Sequence, residues 1–437
     1  MDIHSIKKTY QNINMERDSL LYKITEGLRD MCYICVKEMK TTVTDEGVLI
    51  FFVLVPILYP LLYSWIYIEQ VVREVPVAVI DMSRSHASRD IITHYNASPD
   101  VKVAYYCNNI KEAQSLMEHQ KVKGILYFPT DFQKKIDRGE QTTISVYTDM
   151  AIMLNYKAIY QTATNVTSLL NSKIQVAKSN DFTRRENEIT TKPLDFDDVP
   201  IFNPTGGYAD FIIPGVLMLI LHQTLLLGIG MSAGTAREQN RYRDLVPVSR
   251  HYNGLFRIVL GKSFCYFTIY LLMAAFVTML YPHLFGFIQL IRFKEWIAII
   301  VPFLLSTIFF GMFVSCTIRY RENVMLLVVF TSVPLLFMSG ISWPQSAMPG
   351  VWRAIACFFP STFGIRAFVR ANTMGASLSD IAQEYQAMWI QVVVYFFASC
   401  TVYRYQIIQA RRHALERVSV LKEKAKEATQ KIETDTD

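Results

Sequence analysis

The sequence predicts an α-helical polytopic membrane protein of six spans and a re-entrant helical hairpin, into which an α/β extracytoplasmic domain is inserted. Three observations predict it. Of the 437 residues, 51% are hydrophobic and 13% aromatic, and separate stretches approach the roughly 20 apolar residues that a helix needs to cross hydrocarbon. Basic residues concentrate in particular segments between those stretches. Residues 69 to 207 instead alternate strand-like and helix-like patterns.

The first span is "GVLIFFVLVPILYPLLYSWIYI" (47–68), and the others are 211–231, 258–281, 296–317, 324–341 and 388–408. Pro56 and Pro60 should kink the first helix without ending it. The first 46 residues mix acids and bases and lack the order of a secretory signal. Within them, "EGLRDMCYICVKEMKTTVTDE" places Leu28, Met31, Cys32, Cys35 and Met39 at helical spacing, while Arg29, Asp30, Lys37 and Glu38 take the polar positions. This predicts an interfacial helix along the inner leaflet.

Orientation follows from the bases. The stretch 234–250 carries four arginines, "RYREN" (319–323) two, and the tail from Arg404 onward eight Lys or Arg. Those segments should be cytoplasmic, and both termini are then inside. The loops 282–295 and 342–387 and the insertion 69–207 then face out. Arg292, Lys294, Arg353, Arg366 and Arg370 run against the rule there.

In the insertion, "VPVAVID", "VKVAYY", "KGILYFP" and "TISVYTD" read as strands rich in β-branched and aromatic residues. Helical patterns separate them, which argues an α/β domain. A longer helix follows, with Ile152, Tyr156, Ile159, Ala163, Val166 and Leu170 in a heptad-like stripe. Packing on its own domain and an intermolecular coiled coil both fit that stripe. Pro193, Pro200, Pro204, Gly206 and Gly207 forbid one continuous helix back to the membrane. Cys107 is the only cysteine here, so no intrachain disulfide braces the domain.

Chemical motifs mostly fail. "CYIC" (32–35) has no second Cys or His pair near it. "GKS" (261–263) lacks a glycine at the spacing of a phosphate loop, and Lys262 reads as a side chain that snorkels to the interface. "GMSAG" (230–234) fits G-x-S-x-G, but Ser232 closes a membrane helix where a nucleophile elbow needs a strand and a turn. No H-x-x-x-H metal pair occurs. His222, Gln223 and Thr224 interrupt the second span, and polar clusters at such depth face other helices or an aqueous path. They are the candidates for the translocation path.

The layout resembles the permease of type 2 ATP-binding-cassette (ABC) exporters with a large domain between the first two spans. "KEMKTTVTDEGVLIFFVLVPILYP", "VAVIDMSRSHASRDII", "KGILYFPTDFQKKIDRGEQTTISVYTD" and "FNPTGGYADFIIPGVLMLIL" carry the resemblance. "SGISWPQSAMPGVWRAIACFFPSTFGIRAFVR" is similar to a half-penetrating hairpin, marked by Pro344, Pro349, Pro360 and Ser361. The family's ATPase-docking coupling helix matches "AREQNRYRDLVPVSR" in position, with Arg237, Glu238, Arg241, Arg243, Asp244 and Pro247. The family's Glu-x-x-x-Gly-Thr is absent after Glu238, where Gln239, Asn240, Arg241, Tyr242 and Arg243 follow.

The resemblance implies residues 1–46 as a cytoplasmic N-terminus, 69–207 as the outer domain, 208–410 as a five-span domain with hairpin 342–372, and 411–437 as a charged tail. It implies no enzyme activity and no cofactor bound by this chain, ATP and Mg acting at a partner subunit. Expected partners are cytosolic ABC ATPase subunits, a second identical or homologous permease chain, a periplasmic adaptor and membrane lipids, with no nucleic acid. The cargo is a drug-like, lipid-like or other amphipathic molecule. A membrane receptor with a ligand-binding outer domain is the alternative, but its cytoplasmic segments are too short for an output domain. A polytopic transferase would need acids or histidines clustered at one membrane face.

Overall fold

The computed structural model describes residues 20–178, 183, 201–203, 207–238, 254–317 and 320–434. In chain order its helices are α1 (Leu20–Thr44), α2 (Glu46–Ile66), α3 (His86–Asn96), α4 (Ile110–Glu118), α5 (Phe132–Arg138), α6 (Met153–Lys178), α7 (Tyr208–Glu238), α8 (Leu255–Phe285), α9 (Phe293–Thr317), α10 (Arg321–Met338), α11 (Gly350–Ala356), α12 (Pro360–Met374) and α13 (Ala382–Thr434). The strands are β1 (Val75–Asp81), β2 (Val101–Tyr106), β3 (Gly124–Phe128) and β4 (Ser145–Thr148). They divide into two compact units, 69–207 and the remainder.

Among the described residues, α2, α7, α8, α9, α10 and α13 contain six stretches long and apolar enough to cross a membrane. Each overlaps one of the six apolar runs of the sequence. The prolines of α2 are absorbed as expected: residues 50–54 form a π-helical turn directly before Pro56, and Pro60 lies inside the helix that follows. A wide turn relieves the carbonyl that proline leaves without a donor. The last span does not stop at the membrane length, and α13 continues as one helix to Thr434.

The buried centre of this unit is α7, paired with α9. Leu217, Met218, Leu221, Leu225 and Ile229 of α7 pack with Ile299, Phe303, Leu304, Ile308 and Met312 of α9 in one apolar cluster. The α2 and α10 spans are by contrast mostly exposed along their length. Gly364 of α12 sits against Phe303, whose ring would lie 2.1 Å from a Cβ at that position. That contact lets α12 reach the core.

The pair α11 and α12 bends by 90°. Broken backbone needs partners when it leaves water, and the turn finds them on α13. Gln391 donates to the Cys357 carbonyl at 2.8 Å, and the Tyr395 hydroxyl donates to that of Phe358. In α11, Val351, Trp352 and Ile355 are all exposed and Ala356 alone is buried.

The unit 69–207 holds a four-stranded sheet of order β2-β1-β3-β4. Strand β1 runs parallel to β2 and β3, and β4 runs antiparallel to β3. Side-chain alternation sends Val75, Val77, Val79, Leu126 and Phe128 to a core with α3, α5 and α6, and Ala78, Ile80 and Ile125 to a second core under α4. The stripe of α6 is used at home: Ile159 and Leu170 are buried in the first core, with Ala163 and Val166 against it.

Candidate functional site

One cluster of charged groups of the membrane unit lies where α1 packs against α8. The sequence placed Asp30 and Glu38 on the wet face of α1. The structure reverses that. Asp30, Ile34, Glu38 and Thr42, spaced by four, are the buried stripe, whereas Leu28 is exposed. Their partners come from α8. Asp30 accepts from the Arg257 guanidinium at 2.7 Å, and both Glu38 oxygens accept from Lys262 Nζ at 2.9 and 2.8 Å. The Tyr266 hydroxyl also donates to Glu38. Lys262 therefore does not snorkel; it is 4% exposed.

Close helix approach makes this possible. A Cβ at Gly261 would lie 2.9 Å from the Ile34 side chain and 3.1 Å from the Met31 carbonyl, so only glycine lets α8 press this near to α1. Burial of a charge is costly unless it is paired and hydrogen-bonded, and Glu38 satisfies that with one cation and one hydroxyl. Next to it opens a cavity of about 750 Å³ lined by Glu38, Lys262, Asp45, Arg321, Ser232 and Thr235 among others. Ser232 lies inside α7 with no strand before it.

Arg321 at the start of α10 links further elements. Its backbone N–H donates to Glu238 at 2.8 Å, and its guanidinium lies 3.7 Å from Asp45. Asp45 in turn caps α2, accepting from the N–H groups of Gly47 and Val48. Of the expected docking residues, Glu238 is thus held at the end of α7. Arg237 is placed in that helix without a described side chain, and Arg241, Arg243, Asp244 and Pro247 lie outside the described residues. The described chain resumes at Gly254, three residues before Arg257.

The second-span cluster separates into different roles. His222 is fully buried between the rings of Phe303 and Phe310, with Nδ1 3.3 Å from Thr307 Oγ1. Thr224 donates to the Ile220 carbonyl of its own helix at 2.7 Å. Gln223 is half-buried. The structure does not bring these three to the α1 junction.

At the α11–α12 pair, Pro344 and Pro349 precede short helical turns, Pro360 is the first residue of α12, and Ser361 is buried. Nearby, sequence reading missed a charge cluster. Glu384 at the start of α13 is 1% exposed and takes Arg366 and Arg370, each at 3.1 Å. Two of the four arginines that ran against the charge rule, Arg366 and Arg370, are thus partners of a buried acid. Their position 14 and 18 residues before Glu384 gave no periodic signal.

Among the described residues no group of His, Cys, Asp and Glu could hold a metal ion. The junction is a set of ion-paired helix ends beside a polar cavity, suited to carrying force between helices. Comparison with known proteins adds the context. The family described as ABC-2 family transporter protein matches residues 47–401. The probable multidrug ABC transporter permease YbhS of Escherichia coli K12 is 25% identical over 338 residues, covering 76% of this chain and 85% of that protein. The protein of the same name from Escherichia coli O157:H7 gives the same figures.

Proposed function

The chain belongs to the ABC-2 transporter family, and from that premise we propose that it is the permease half of an exporter driven by a separate cytosolic ATPase. Family membership makes it a multi-pass membrane permease and implies an ATPase partner and a paired permease. The finer reading assigns residues 234–250 as the docking segment, both termini to the cytoplasm, and residues 69–207 to the outer side of a bacterial inner membrane. ATP and magnesium act at the partner subunit. The excess of bases in 234–250, 319–323 and the tail supports that orientation.

One observation carries the coupling role. Glu238, inside the docking segment, is held to the start of α10, and Arg257 of α8, seven residues beyond that segment, is held to α1. A push on the chain between these two residues would act on α1, α8 and α10, the helices they tie together. Among the second-span candidates, half-buried Gln223 contacts the path, while His222 and Thr224 support it from behind.

The cargo is an amphipathic molecule of drug-like or lipid-like character. The word "multidrug" in the name of the relatives, and the apolar composition of the spans, support it. A periplasmic adaptor fits the outer unit as a further partner.

The test reverses charge in the docking segment with Arg241→Glu and Arg243→Glu in the full complex. Normal membrane abundance with weakened ATPase co-purification is expected, because Arg237 and Arg250 still bias the loop inward. Retained co-purification with fully substrate-coupled hydrolysis would refute the assignment.

A further inference from the structure

Among the described residues, strand order leaves β2 and β4 as the two edges of the sheet. An unpaired edge invites another strand unless charge or proline guards it. On β2 a charge is present: the strand carries Lys102, paired with Glu74 at 2.9 Å. On β4 it is missing, since no residue from Gln141 to Thr148 carries charge and none is proline.

The backbone of β4 is aimed for pairing. Asp149 donates its N–H to the Lys123 carbonyl at 2.9 Å, which sets the phase of the antiparallel ladder with β3. Groups alternate in direction along such a strand. Ser145 and Tyr147 therefore address β3, and Ile144, Val146 and Thr148 turn their N–H and C=O to the free side.

Beside that free side runs a groove of about 700 Å³ between β4 and α6. Ile144, Val146 and Thr148 form one wall, and Tyr156 and Tyr160, stacked at 5.6 Å, stand on the other. None of the lining side chains is charged.

We propose that β4 is the seam between two copies of this chain, pairing antiparallel with its own copy so that two four-stranded sheets become one of eight strands. The proposal rests on the paired permease of the preceding subsection. A two-fold axis normal to the sheet keeps each face in place, so Val146 stands opposite Val146 and Ile144 opposite Thr148. The same three side chains of the second copy then enter the groove over Tyr156 and Tyr160. An isologous contact sets every charge against itself, and a neutral strand meets no repulsion there. At β2 the same symmetry would oppose Lys102 to Lys102. Two copies already held in one complex need little added area, because tethering raises their effective concentration.

The experiment uses the full-length chain with its ATPase in membrane vesicles, oxidised with copper-phenanthroline. Opposed hydrogen-bonded residues lie about 5.5 Å apart at Cα, inside the range for a disulfide. Val146→Cys should give a permease dimer on a non-reducing gel, whereas Lys102→Cys and the unaltered chain stay monomeric. A mixture of differently tagged Ser145→Cys and Tyr147→Cys chains should also link, across the narrower pair. Adding Val146→Pro removes an N–H from the free edge alone and should lower that linking by roughly ten- to thirtyfold, the effect of two lost hydrogen bonds.

Native mass spectrometry of the same preparation separates two failures. Paired permeases with no linking through either cysteine design would overturn the seam and leave the groove to another occupant, such as a glycan or a foreign strand. Lone permeases would overturn the pairing itself, and the seam with it.

Discussion

Lys262 and Glu38 meet at 2.8 Å with side chains 5% and 9% exposed, tying the helix before the first span to the third span. Arg257 and Asp30 repeat the tie two turns away at 2.7 Å. A buried pair is weak evidence of stability by itself, because desolvation opposes the Coulomb gain. Breaking it from one side is another matter.

Lys262→Met should therefore destabilise the detergent-solubilised protein by about 3–5 kcal/mol, since Glu38 is left as an uncompensated buried charge. Adding Glu38→Leu should recover most of that loss. Thermal unfolding followed by size-exclusion chromatography reads both. Equal loss in the single and double variants would mean that packing, not charge, holds the junction.

At Gly364 a methyl group would enter the Phe303 ring at 2.1 Å, and Phe303 is fully buried. Gly364→Ala should cost about 1–3 kcal/mol through overpacking. Gly350→Ala, where nothing lies within 4 Å of the added carbon, is the neutral control. The same unfolding assay checks the pair.

Glu384 holds two arginines that are themselves 29% and 41% exposed. The asymmetry predicts an order. Glu384→Ala should cost about 2–3 kcal/mol, because charged hydrogen bonds are lost and two guanidiniums face each other. Arg366→Met or Arg370→Met alone should cost no more than about 1 kcal/mol, the remaining arginine still serving the acid. A larger loss from either single arginine variant would contradict the shared arrangement.

Cys107 in the unit 69–207 is buried, and desolvation, then the Glu112 charge, pushes its thiol above the usual cysteine range. The thiolate is the reactive form. In variants keeping one cysteine each, maleimide at neutral pH should modify Cys107 far more slowly than exposed Cys32. Raising pH should speed the Cys107 reaction, and denaturant should abolish the difference. Labelling at equal rates in the folded protein would show that the core of this unit is open.

The sequence by itself determined where the chain is apolar long enough to span and where it alternates short strands with helices. Both are local properties: one run of residues such as 211–231, or one strand such as "VPVAVID", carries its own signal. The family resemblance was legible for the same reason, in contiguous motifs. What the tertiary structure decided depends on partners far apart in the chain. Asp30 and Glu38 looked like a solvated face because nothing nearby in sequence opposes them, and their cations stand 227 and 224 residues away. Lys262 looked like a snorkelling end because its span was read without α1 beside it. Arg366 and Arg370, two of the arginines against the charge rule, became intelligible only when α12 and α13 brought Glu384 between them. Likewise "TISVYTD" announced a strand, but whether it lay in the middle or at the edge of the sheet followed from crossovers that no local pattern encodes. Periodicity reports which residues avoid water on one element; which charges can be buried is settled by the element that packs against it.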